Sequence, residues 1–82
     1  MPPLKYIHSD GHQKLCALIR RTREEKGITQ LVLADRLDVP QSFVSKVETG
    51  ERRLDILELR AVCLALGVPL RRFVVLLERE LK

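Results

Sequence analysis

Apolar residues recur along this chain with the spacing of helices. Leu15, Leu18, Ile19 and Thr22 make one stripe. Leu33, Ala34 and Leu37 follow at i, i+1, i+4, and Val44 and Val47 at i, i+3. Ile56, Leu59, Val62, Cys63 and Leu66 form a broader stripe, and Leu70, Phe73, Val74, Leu77 and Leu81 a last one. No stretch alternates apolar and polar residues as a half-buried strand does. The pattern predicts five helices and an all-α domain.

The punctuation between the stripes sets the boundaries. Ser9 or Asp10 can cap the first helix, because either side chain accepts from a free N–H of the first turn. That helix runs to about Lys26 and stops at Gly27, which suits the left-handed position after a helix. Thr29 caps the second helix. In Asp38-Val39-Pro40, Asp tolerates left-handed backbone and Pro40 pushes Val39 to an extended conformation. The second helix should therefore end at Leu37 or Asp38. The third spans about 41–49 and stops at Gly50. Asp55 caps the fourth, Gly67 ends it, and Pro69 opens the fifth at 70–81. Residues 1–8 form an N-terminal tail in which Tyr6 and Ile7 could pack back on the domain, and 9–82 form a single domain.

With 82 residues there is little interior to fill. Helix five nevertheless carries Val75 and Leu76 off its stripe, and Leu57 and Leu64 lie off the stripe of helix four. This surplus predicts a partner surface: a homodimer joined through helix five, with Val75 and Leu76 at the contact and Leu64 nearby.

Charge adds a direction. The formal net charge is +4 and the isoelectric point about 9.5, which suits a polyanionic partner. No signal peptide or long apolar run is present, so the expected location is cytoplasmic, without a membrane partner. Cys16 and Cys63 sit in apolar helical patterns without CxxC spacing and read as free core thiols. His8, His12 and Cys16 are spaced i, i+4, i+8, which would align three metal ligands on a continuous helix. Gly11 and the cap residues are expected to interrupt that helix, and no fourth ligand is evident, so neither metal nor cofactor is expected. No Ser/His/Asp grouping, paired carboxylates or Gly-rich phosphate loop suggests an enzyme.

The stretch from Thr29 to Gly50, two short helices about a tight turn with Gln41, Ser42, Ser45 and Lys46 pointing outward, has the layout of a DNA-binding helix-turn-helix. Across roughly residues 15–70 the chain resembles the Cro/CI-type helix-turn-helix proteins, also called the XRE family. The matching residues are Thr29-Gln30, Leu33-Ala34, Leu37, Val39, Gln41-Ser42, Val44-Ser45, Glu48, Gly50 and Arg52, then Ala65-Leu66-Gly67-Val68. Two positions depart from the pattern: Asp38 stands where the turn usually has Gly, and Pro40 where a Ser or Thr usually caps the recognition helix.

The resemblance implies a five-helix, lambda-repressor-like domain. It implies that Thr29 and Gln30 touch DNA phosphates at a helix N-terminus and that Gln41, Ser42, Ser45 and Lys46 face base edges. Gln41 can pair with adenine, and Lys46 can donate to guanine. Arg52 and Arg53 follow as further phosphate contacts. Arg23 and Glu48 occupy the positions of an ion pair between helix one and the recognition helix. Phe43 is expected to pack at the core or its rim. The expected function is a homodimeric, sequence-specific transcriptional regulator of double-stranded DNA, a repressor. The alternatives are a restriction–modification controller protein, an antitoxin with a toxin as additional protein partner, or an interaction module that has lost DNA binding.

Overall fold

A computed structural model describes residues 10–82. It contains α1 (Asp10–Glu25), α2 (Gln30–Leu37), α3 (Gln41–Thr49), α4 (Ile56–Leu66) and α5 (Leu70–Leu81). The expectations for Tyr6, Ile7, His8 and the Ser9 cap lie outside the described residues. Helix α1 packs on α3 and α5, α2 on α3 and α4, and α4 on α5. Ile19, Leu33, Leu66, Cys63 and Phe73 are its most deeply buried large side chains, one or more from every helix except α3. Val44 and Val47 bring α3 into the same core.

The helix ends follow local chemistry. The Thr29 side chain accepts from the Val32 N–H at 3.1 Å, and its carbonyl from the Leu33 N–H. Asp38 ends α2 in left-handed backbone at φ 56, and its N–H bonds back to Asp35. Pro40 precedes α3 in extended backbone, with no side-chain cap to offer. Asp55 and Glu58 close a reciprocal capping box at the start of α4. The Asp-x-x-Glu spacing was present in the sequence, where only Asp55 was read.

The structure corrects several expectations. Gly11 does not interrupt α1, which runs unbroken from Asp10 through His12, and that helix ends at Glu25 instead of Lys26. A single glycine costs a helix only about 1 kcal/mol, which neighbouring packing offsets. Ile56, placed in the core stripe of α4, is 60% exposed; it is the first residue of the helix and projects beyond the layer beneath. On α5 the stripe is rotated from its expected position. Val74 and Leu81 are partly exposed, whereas Leu76 packs against the core and lines a recess with Thr22 and Glu25 of α1. Helix α5 leans on two neighbours, α1 and α4, and the α1 side claims Leu76. Leu76 is thus partly engaged within its own chain, while Val75 beside it is half exposed.

Both cysteines are free and buried. Burial pushes the Cys63 thiol up from 9.0 to about 11. The folded state thus holds this proton more tightly than the unfolded chain, so its contribution is intact below about pH 9 and is lost as pH rises toward 11. Native protein at neutral pH should react with a thiol reagent at Cys63 only at the rate of unfolding. Labelling followed by mass spectrometry tests this, and labelling as fast as in denaturant would show an accessible thiol.

Candidate nucleic-acid interface

Helix α3 presents Gln41, Ser42 and Lys46 exposed, with Ser45 half-buried beside them. These positions, i, i+1, i+4 and i+5, share one face, opposite the inward Val44 and Val47. A polar face of this kind is useful only if its helix is aimed, and three devices aim it.

The first is a buried ion pair. Arg23 of α1 donates to Glu48 of α3 through Nε at 2.6 Å and Nη2 at 3.0 Å. The two side chains are 9% and 3% exposed. The remaining Arg23 nitrogen donates to the Ile28 carbonyl at 2.8 Å, so the guanidinium is satisfied on every side. Its hydrogen bond to Glu48 holds the Arg23 pKa above the ordinary value. The Gln30 amide adds a donor to Glu48 Oε1 at 3.0 Å and ties the N-terminus of α2 into the same network. That amide N–H₂ is engaged inside the protein, so Gln30 orients the site with its side chain.

The second device is Arg52. Its guanidinium lies 4.5 Å from the centroid of Phe43 and forms a fork with Glu58, at 2.8 and 3.3 Å. It also donates to the Arg53 carbonyl. The hydrogen bond from Arg52 holds the Glu58 carboxyl below the usual carboxylate range. Arg52 therefore clamps α3 to α4, and the fork that would grip a phosphate is occupied. Phe43 is half-buried at the rim of the core, under this guanidinium. Arg53, next along the loop, is exposed.

The third device is Arg36, whose Nη1 donates to the Ala65 carbonyl at 2.8 Å and braces α2 against the end of α4. Nothing in the spacing of the sequence pointed to it. Thr29 is exposed at the N-terminus of α2; its hydroxyl accepts from Val32 and retains a proton to donate. Leu64 and Val75 are 57% and 50% exposed, off the buried faces of α4 and α5. Among the described residues no group of three His, Cys, Asp or Glu is placed to hold a metal ion, and no helix is long and apolar enough to cross a membrane.

Five helices with a left-handed turn residue between α2 and α3 define a helix-turn-helix domain. A helix-turn-helix family model matches residues 19–73. The chain is 43% identical to an XRE-family like protein from Pseudomonas syringae pv. tomato, covering 93% of each chain with a TM-score of 0.84. It is 32% identical to the restriction–modification controller protein C.Esp1396I, solved as a tetramer on its natural 35-base-pair operator; that match covers 90% of this chain and 99% of the other, with a TM-score of 0.82. It is also 40% identical over 40 residues to the transcriptional regulator PrpR of Mycobacterium tuberculosis, of which it spans 8%. The chain belongs to the XRE family of helix-turn-helix proteins.

Proposed function

We propose that the protein is a homodimeric, sequence-specific DNA-binding transcriptional regulator, a repressor, that reads a near-palindromic operator with α3. The observation that carries this reading is the pairing of an exposed polar face on α3 with a buried Arg23–Glu48–Gln30 network behind it. Such a network aims a helix whose side chains must meet base edges in register. Gln41, Ser42, Ser45 and Lys46 are the base-facing group. Thr29, the free N–H groups of the first turn of α2, and Arg53 meet phosphates. Leu64 and Val75 contribute to the twofold contact. A DNA target implies a cytoplasmic location.

A restriction–modification controller protein is the favoured form of this function, because the similarity to C.Esp1396I runs almost end to end in both chains. Methylase and endonuclease genes beside this one would support it, and their absence would leave the broader reading standing.

Selection of bound sites from a random DNA pool tests the function, and two variants then test the roles. Lys46→Ala should cost about 1–3 kcal/mol and relax preference at one position per half-site. Arg53→Ala should weaken all sequences alike and lower the slope of log affinity against log salt by about one. Equal, uniform losses from both would refute the division of labour, and failure to select any site would sink the function itself.

A further inference from the structure

His12 was considered in the sequence only as a metal ligand, and the function above does not use it. In the fold it sits in the first turn of α1 with its ring Nε2 3.3 Å from the Gly50 carbonyl oxygen and 3.7 Å from Cys16 Sγ. Gly50 is the left-handed residue, φ 87, that ends α3 and begins the loop to Arg53. A carbonyl only accepts, so this contact requires a proton on Nε2. The neutral ring protonated there and the imidazolium both supply it. Cys16, buried with a thiol pushed up chiefly by desolvation, accepts weakly from the same proton.

The placement of His12 completes a pattern on α1. His12, Cys16, Ile19 and Arg23 stand at i, i+4, i+7 and i+11, one stripe of the helix. Arg23 holds the Glu48 side chain from one end, and His12 holds the Gly50 main chain from the other. Cys16, Ala17 and Arg20 line the surface between, against Glu48, Thr49 and Gly50. Side-chain pairing at Glu48 fixes the rotation of α3. The Gly50 N–H donates to the Val47 carbonyl and the Arg52 N–H to the Lys46 carbonyl, so these bonds close the turn on α3 itself and do not tie it to α1. The Gly50 carbonyl is the point at which α1 can direct the exit of the loop.

We propose that His12 is a positioning residue for DNA binding: its hydrogen bond to the Gly50 carbonyl fixes the exit of the recognition helix and so aims Arg53. The proposal rests on the DNA-binding function above.

The test compares His12→Gln, whose amide N–H₂ can replace the Nε2 donor, with His12→Phe, which keeps a ring and loses the donor. Operator affinity is measured well below each variant's unfolding midpoint, so that loss of folded protein does not enter. His12→Phe should bind the selected operator about five- to tenfold more weakly, the loss of roughly one hydrogen bond, and His12→Gln should restore most of it. Combined with Arg53→Ala, His12→Phe should cost little more than Arg53→Ala alone, since both act on one contact. Amide NMR of the free protein supplies a readout independent of DNA: His12→Phe should shift and broaden the signals from residues 50–53, and His12→Gln should not. Equal affinities for all three proteins, or equal losses in both variants, overturn the proposal. If the wild-type chain binds no operator, the DNA-binding function fails; undisturbed signals from residues 50–53 in His12→Phe would overturn the positioning role separately.

Discussion

Glu48→Ala should lower the folding free energy by about 3–5 kcal/mol, the range found when one partner of a buried pair is removed. The reason is the environment left behind. Arg23 would remain 7% exposed with two of its donors unpaired, and Gln30 would lose its acceptor. The stranded guanidinium cannot neutralise itself by giving up a proton, as a buried lysine would. Replacing both partners by apolar residues, as in Arg23→Met with Glu48→Leu, removes the charge as well as the pair. That double variant should lose less stability than the sum of the single changes, and by more than about 0.5 kcal/mol. Denaturant melts of the wild type, Glu48→Ala, the matching singles Arg23→Met and Glu48→Leu, and the double variant make the measurement. Additive losses would mean that the two residues act independently. The pair need not add net stability, since desolvation opposes its attraction; its use is to specify one orientation of α3.

The second large effect is on assembly. Leu64→Glu together with Val75→Glu should leave a folded monomer and abolish tight operator binding. Both side chains are half exposed or more in the single chain, so charge there does not disturb the core. Leu57 on α4 and Val74 and Leu81 on α5 are exposed as well, so both helices present apolar side chains to solvent. The proposed twofold axis through these residues would bury the same side chains on both subunits and set two recognition helices about 34 Å apart, one turn of DNA. Like charges introduced across that axis would repel in a desolvated setting. The double variant should sediment as a monomer and fall to non-specific affinity, about 10³-fold or more below the wild type. Leu76→Glu would be a poorer test, because Leu76 is partly buried against the chain's own core and a charge there would also destabilise the fold. A double variant that remains a dimer would move the contact elsewhere, with the exposed Leu31 and Val32 of α2 the next surface to try.

The exposed face of α3 and the clamp behind it were not equally legible. The five helices, their glycine and proline punctuation and the outward Gln41, Ser42, Ser45 and Lys46 are local facts. They follow from a period of 3.6 residues and from backbone conformations that few residue types tolerate. The pairing of Arg23 with Glu48 came only through resemblance, since no spacing rule connects positions 25 residues apart. Other groups are engaged in ways that no local spacing reveals. Arg52 and Gln30 carry groups suited to a phosphate, and in the free protein they donate to Glu58 and Glu48. On α5, periodicity gave an apolar stripe but not its rotation. Packing against both α1 and α4 turned Leu76 inward and Val74 outward.

The chain's local code therefore determined which segments are helices, where each ends, and which side of α3 is polar. Tertiary structure alone decided how α3 is held, through Arg23, Gln30, Arg52 and Arg36. The physical reason is range. Periodicity, caps and turns act within about four residues, whereas a hydrogen bond or ion pair forms between whichever groups the fold brings within about 3 Å. Of the residues read as DNA contacts, Gln30 and Arg52 are the ones that such bonds engage within the protein.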